Sequence, residues 1–217
     1  IKSDGSFRLD MSFFKFHRGF RMTSKKFHKL FGKPPRKSEA NLTQFHMDLA
    51  ASIQEVTEEI TFLLAKSIKE ETGAKNLCIA GGVGLNCVSN GKILKSNLFD
   101  DIWIQPAAGD AGNAIGAALY SFYSFSSKKR IVNKSDSMKG AYLGPKFTNQ
   151  SIKEYLEKIN APFETKEDTK LFVELAKLLD NGKVIGWFSG SMEFGPRALG
   201  GRSIIGDPRN KSMQSIM

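Results

Sequence analysis

The sequence predicts an α/β protein. Three observations predict it: two short apolar strands each run into a glycine-rich loop, each loop leads into a helix, and a long amphipathic helix precedes the first strand. Residues 1–40 show no clean period, and Pro34 and Pro35 break any helix there. From Thr43 to Glu71 the apolar residues Phe45, Leu49, Ile53, Val56, Ile60, Leu63, Leu64 and Ile68 recur every three or four positions. That spacing predicts one long helix, and Gly73 should stop it. Leu77–Ala80 reads as a buried strand ending at Gly81-Gly82, with a helix from Gly84 to Lys95 behind it. Ile102–Ile104 is the second strand, ending at Pro106. The small-residue loop AAGDAG then opens an alanine-rich helix from Gly112 to Phe122. The two strands should be neighbours in one sheet, with Gly82 and Asp110 facing one cleft.

Residues 126–140 are polar, basic and aperiodic, as a linker would be. Beyond them, Thr148 or Asn149 should cap a helix to Ile159, and Phe163–Thr165 suggests a short strand. Asp168 or Thr169 should cap a helix over Leu171–Asp180, closed by Asn181-Gly182. Val184–Phe188 is a strong short strand. The glycine- and arginine-rich stretch after it reads as loop.

Of the 217 residues, 41% are hydrophobic and 25% charged, a globular balance that excludes disorder and collagen-like repeats. No apolar run reaches the roughly 18–20 residues of a membrane helix. Lys2, Asp4 and Arg8 interrupt the first apolar residues, unlike a secretory leader. Cys78 and Cys87 lie in or beside apolar segments and suit reduced thiols, so a cytoplasmic protein is expected. The ends at Ile1 and Met217 suggest an internal piece of a longer protein, inactive by itself.

The net charge is +10, and residues 1–50 hold 11 basic against 4 acidic residues. That excess is either a solvated surface or an attraction for an anionic ligand or nucleic acid. Phe13, Phe14, Phe16, Phe20, Phe27 and Phe31 interleave with the cations. Without an RNA-binding signature they are expected to pack a local core, and no nucleic-acid partner is expected.

Three stretches could carry chemistry. In IAGGVGLNC, residues 79–87, Gly81 and Gly82 let backbone amides approach a ligand, a helix N-terminus follows, and Asn86 offers a donor and an acceptor. The stretch is neither a Walker loop nor GxGxxG, and Gly-Gly at a strand–helix junction is more often a tight packing turn. In QPAAGDAGNAIGAAL, residues 105–119, Asp110 is either a ligand at a strand's C-terminal end or a helix N-cap. In residues 186–209, Arg197, Arg202 and Arg209 occur with six glycines. Guanidinium forks among glycines suit phosphate, and Glu193 could orient an arginine or move a proton. The alternative is surface pairing with Glu193 and Asp207. No HExxH, paired CxxC or GxSxG occurs, and His17, His28 and His46 are isolated. His46, at a helix start, reads as a surface or capping residue.

The strings IAGGVGLNCVSNGKIL, QPAAGDAGNAIGAAL, AYLGPKF and GWFSGSMEFGPRALGGRSIIGDPR, in that order, resemble the NodU/CmcH-type O-carbamoyltransferases. The resemblance covers about residues 40–210, and residues 1–40 more weakly. MEFGPRALG with RSI and DPR is the specific part. GGVGLN and AAGDAG are shared with tRNA threonylcarbamoyl-adenosine synthases. The resemblance implies the latter half of an actin/Hsp70-like (ASKHA) ATPase-type domain over residues 1–125. It implies a linker over 126–140 and the start of an α+β YrdC-like domain over 141–217. It also implies formation of carbamoyl adenylate from carbamoyl phosphate and ATP, then transfer to a hydroxyl of a small metabolite or sugar. By the same resemblance, Gly81, Gly82, Val83 and Asn86 would lie against the adenylate. Asp110 would bind a divalent metal, iron in relatives. Glu193, Arg197, Arg202 and Ser203 would serve adenylate formation.

Two departures stand out. The family's HxxxH metal pair is not matched by His17 and His28, and no N-terminal phosphate loop is present. A tRNA threonylcarbamoyl transferase is the alternative, disfavoured by MEFGPRALG. A non-catalytic nucleotide- or RNA-binding module is the third reading.

Overall fold

The computed structural model describes residues 1–38, 40–133 and 135–217. Helices alternate with small sheets, as an α/β sequence should. The chain folds as two compact units: Ile1–Cys78 with Asn86–Trp103, and Ile79–Leu85 with Ile104–Met217.

In the first unit, two 3₁₀ turns, Met11–Phe13 and Phe16–Arg18, precede the short helix α1, Lys25–Leu30. Ser24 caps α1 by accepting from Lys26 N and Phe27 N, and its own hydroxyl donates to Ser12 O at 2.8 Å. Six residues are too few to show a helical period, so the sequence hides α1. The long helix α2 runs Gln44–Thr72 and stops at Gly73, whose φ of 63° is left-handed. At its start, Thr43 N donates to His46 Nδ1 at 3.0 Å, so His46 is the capping residue its position suggested.

Helix α3, Cys87–Lys95, packs on α2. A 3₁₀ turn over Gly82–Leu85 precedes it, so the helix starts later than the sequence placed it. Polar groups fix the register of the two helices. Glu58 is buried, accepts from Gln54 Nε2 at 2.8 Å and pairs with Lys92. Lys92, then Gln54, hold its carboxyl below the ordinary carboxylate range. Buried Ser89 bonds the Thr61 hydroxyl. Ala65, Ile93 and Phe99 form the apolar centre of this unit. Strands β1, Asn76–Ile79, and β2, Asp101–Ile104, pair in one two-stranded sheet, as expected.

In the second unit, α4 spans Asp110–Phe125, longer at both ends than the apolar pattern suggested. Of the expected linker 126–140, residues 126–138 hold no helix or strand among the described residues, a 3₁₀ turn begins at Lys139, and Lys134 lies outside the described residues. Helix α5, Asn149–Lys158, is capped by Thr148, and α6 covers Asp168–Asp180 after Glu167. The strand suggested at Phe163–Thr165 does not form. No described strand lies beside it to complete a ladder. Instead Lys166 ties the segment to α6 through Glu164 and Glu174, at 3.1 and 2.6 Å.

Strand β3, Ile185–Phe188, pairs antiparallel with β4, Arg202–Ile205, so Phe188 faces Arg202 and Trp187 faces Ser203. The sequence reading took β4 for loop. A short helix α7, Met213–Ile216, ends the chain. Ala107, Ala108, Ala141 and Met213 are the buried apolar residues of this unit. Among the described residues no helix is long and apolar enough to cross a membrane.

Candidate functional site

The loop after β1 and the loop after β2 meet through their backbones. Gly81, at φ 94°, donates its N–H to Ala108 O at 2.7 Å. This bond holds Gly81 and Gly82 beside the loop that opens α4. Gly81, Gly82 and Val83 are all exposed, and Val83 presents an apolar side chain to solvent.

Asp110 is the first residue of α4, and Gly109 takes the N-cap position. The N-cap alternative for Asp110 is therefore overturned. Its carboxylate is exposed and accepts no hydrogen bond among the described residues. A carboxylate in the first helical turn is favoured by the helix dipole and remains free to bind a cation. Asn86 is used differently. Its amide exchanges two hydrogen bonds with Gln54, at 2.9 and 3.1 Å, and its Oδ1 also caps α3 through Ser89 N at 3.1 Å. Those bonds occupy both ends of the side chain that was expected to face a ribose or base.

The stretch after β3 packs on the loop after β2. Gly195 has φ 126°, and a Cβ there would lie 3.1 Å from the Ala107 Cβ. A left-handed, closely packed position explains this glycine. AYLGPKF joins the same cluster: Gly144 N donates to Met192 O at 2.9 Å, Phe194 N to Ala141 O at 2.7 Å, and the Tyr142 hydroxyl to Leu199 O.

Glu193 is the buried acid at the centre. Its carboxylate accepts from Leu199 N and Gly201 N, both at 2.7 Å, and from Arg202 N at 3.1 Å. These amides, Leu199 first, lower its pKa from 4.5 to about 2. A carboxylate so held is a poor proton carrier near neutrality and a strong clamp on residues 199–202.

The three arginines separate by partner. The Arg202 guanidinium lies 3.4 Å above the Phe188 ring. Its Nη1 donates to the carbonyls of Ser189, Gly190 and Gly201 at 3.1, 3.3 and 2.7 Å, and its Nη2 to Pro145 O at 3.3 Å. Arg209 pairs with Asp207 and Asp180, both at 2.7 Å, so the surface-pair reading holds for this arginine. Arg197 is exposed, with no hydrogen bond or ion pair among the described residues. Ser203 accepts from Gly200 N at 3.0 Å. Sequence reasoning missed Phe188 and the Pro145 carbonyl. The first could have been found as the cross-strand partner of Arg202 had β4 been recognised.

Among the described residues no group of three His, Cys, Asp or Glu side chains could hold a metal. Asp110 fits as one ligand of a larger set, not as a metal site by itself.

The family model described as Carbamoyltransferase N-terminus matches residues 1–119, and that described as Carbamoyltransferase C-terminus matches residues 176–217. The chain belongs to the carbamoyltransferase family. An uncharacterized protein of Synechocystis sp. is 55% identical over 100% of this chain and 36% of its own length. Nodulation protein NolO of Bradyrhizobium diazoefficiens is 42% identical over 80% of this chain and 31% of its own. Nodulation protein U of the same organism is 32% identical over 82% and 28%. The chain thus spans about a third of the length of these relatives. The N-terminal match covers both glycine loops and Asp110, and the C-terminal match covers Glu193 and all three arginines of the third stretch.

Proposed function

We propose that the full-length protein is an O-carbamoyltransferase. Water cleaves carbamoyl phosphate to carbamate and inorganic phosphate, the carbamate oxygen attacks the α-phosphorus of ATP and expels pyrophosphate, and the carbamoyl adenylate then passes its carbamoyl group to a hydroxyl of a small metabolite or sugar with release of AMP. In this reading residues 1–125 belong to an actin-like domain and residues 141–217 begin a YrdC-like domain. The single observation that carries the reading is the unpartnered Arg197, held on a loop whose shape Glu193 and Arg202 enforce.

Negative charge accumulates on phosphate oxygens as the adenylate forms, and a guanidinium aimed at them stabilises that charge more in the transition state than in the ground state. Arg197 has its full fork available for this. Arg202 and Glu193 act through the loop: one gathers carbonyls, the other gathers amides, and together they fix residues 189–202. Ser203 supports the same turn through Gly200. Gly81, Gly82 and Val83 offer backbone and an apolar edge to the adenylate, and Asn86 caps α3. Asp110 would contribute one carboxylate to a divalent metal, whose chemistry is Lewis-acid polarisation of an oxygen.

The test separates the two half-reactions in the full-length enzyme. Arg197→Lys keeps the charge and loses the fork. It should slow ATP-dependent adenylate formation by about 30- to 1000-fold. Transfer from supplied carbamoyl adenylate should continue at the parent rate. Normal adenylate formation by Arg197→Lys removes the arginine from the site and the reading with it. Asp110→Asn should lower bound metal while the circular dichroism spectrum is unchanged, and unchanged metal content refutes its role.

A further inference from the structure

The basic N-terminal segment has no part in the reaction proposed above, and the structure gives it a form of its own. The isolated antiparallel bridge between Phe14 and Thr23 closes it. Lys15 N donates to Met22 O at 2.9 Å, and Ser24 N to Phe13 O at 2.8 Å. The closed loop is anchored from below: Phe14 packs on Phe16 and Phe27, with ring centroids 5.9 and 6.1 Å apart. A cavity of about 590 Å³ opens on it, lined by Phe14, Lys15, His17, Arg18, Phe20 and Arg21 among others. A second cavity, about 600 Å³, shares Lys15 and Arg21 and adds Lys25 and His28.

Among the described residues no Asp or Glu lines either cavity. The nearest acid in sequence, Asp10, is already engaged: it accepts from Ser12 N at 2.9 Å and pairs with Lys26 at 3.6 Å. Among the described residues the side chains of Lys15, Arg18 and Arg21 have no hydrogen-bond or ion-pair partner. Phe20 is fully exposed. A cavity of this size accepts a small molecule. Three unpaired cations call for an anion of two or more charged oxygens, and guanidinium forks favour phosphate. An exposed ring beside them calls for a ligand with a flat or ring-shaped body.

We propose that the loop Phe14–Thr23 is a binding site for a small phosphate monoester carried on a ring, with Lys15, Arg18 and Arg21 on the phosphate and Phe20 against the ring. The proposal is independent of the Arg197 reading.

The experiment is calorimetric titration of the full-length protein with phenyl phosphate, in an Arg197→Gln background so that the other arginine loop stays silent. Phenyl phosphate should bind more tightly than inorganic phosphate, and phenol should not bind. Arg18→Gln combined with Arg21→Gln should weaken binding at least about thirtyfold. Phe20→Ser should weaken phenyl phosphate about fivefold and leave inorganic phosphate unchanged. Should the double variant fail to fold, Lys15→Gln is read alone, with about a tenfold loss expected. Glucose 6-phosphate and adenosine monophosphate distinguish a sugar ring from a base, and either one supports the site when it binds more tightly than inorganic phosphate and loses that advantage in the Arg18→Gln, Arg21→Gln variant. Unchanged affinity in the variants, or phenol binding as well as phenyl phosphate, overturns the proposal. So does a short single-stranded RNA that binds more tightly than phenyl phosphate with steep salt dependence, because the loop then serves a polyanion.

Discussion

The loop Phe14–Thr23 and the stretch Ser189–Arg209 both mix arginine, glycine and aromatic residues, yet they spend their positive charge differently. In the first, Lys15, Arg18 and Arg21 stand unpaired around a cavity. In the second, Arg202 is taken up by carbonyls and a Phe188 face, Arg209 by two aspartates, and Arg197 has no partner among the described residues. An arginine count therefore overstates the anion-binding capacity of a glycine-rich loop. A guanidinium that organises backbone carbonyls has no fork left for a phosphate. The difference arises from partners: the second stretch follows a strand whose return, β4, brings Arg202 opposite Phe188, while the first has one bridge and no acids.

Replacing Arg202 should break the contrast most visibly. Arg202→Lys retains a cation but cannot reach Ser189, Gly201 and Pro145 together, and it loses the planar stack on Phe188. A loss of about 2–3 kcal/mol in unfolding free energy is expected, seen as a lower urea midpoint at unchanged slope. Arg197→Lys should stay within about 0.5 kcal/mol of the parent in the same measurement. If Arg202→Lys is equally neutral, Arg202 is not structural and the contrast between the two arginines is lost.

Much of this arrangement was legible in the sequence, and the unread part has a physical reason. The apolar period from Phe45 to Ile68 and the stop at Gly73 gave α2, because periodicity accumulates over many turns. The pairing of β1 with β2, and the meeting of their loops, followed from two apolar runs that each lead into a glycine-rich loop. β4 was invisible: Arg202–Ile205 is four residues long and flanked by glycines, and its strand character comes from β3 across the ladder. Phe163–Thr165 failed for the converse reason, a strand-like composition with no neighbour. At the site, Glu193 was expected to orient an arginine or move a proton, whereas its partners are backbone N–H groups, which every residue but proline carries and which leave no mark in the sequence. Asn86 misled similarly: its functional groups suit a ligand, and Gln54, 32 positions earlier, claims them.

Glu193 sharpens the comparison through pH. Its carboxyl lies at about 2 in the folded protein against 4.5 for the ordinary group. A depressed pKa means that the charged form is preferred by the fold, so its stabilisation is complete above about pH 4.5. It is lost as pH falls toward 2. Glu193→Gln keeps the shape, removes the charge and turns an amide donor toward Arg202 N. The parent should therefore exceed the variant in melting temperature at pH 7, with the gap narrowing below pH 4.5 and smallest near pH 2. A gap that does not change over that range would show that the carboxylate's charge is irrelevant to the clamp.

The smallest effect is expected at Arg209, where the pairing is real but the setting is solvent. Its side chain is 71% exposed and Asp180 is 70% exposed, so that ion pair is screened by water and salt. Asp207 is the less exposed partner, at 11%, and the Arg209 guanidinium holds its carboxyl below the ordinary range. Removing the guanidinium should leave the fold intact, because Asp207 also accepts from the Arg209 backbone N–H at 2.9 Å, a bond that survives truncation. Arg209→Ala should therefore lower the urea midpoint less than Arg202→Lys does. That shift should diminish when unfolding is repeated in about 1 M salt, where charge interactions decay within about 3 Å. Arg202→Lys should keep its deficit in the same salt, since carbonyl hydrogen bonds and ring stacking depend less on ionic strength. A salt-resistant loss at Arg209 that equals the loss at Arg202 would place both arginines in the framework of the stretch. Arg197 would then be the one residue there that resembles the open cations of the N-terminal loop.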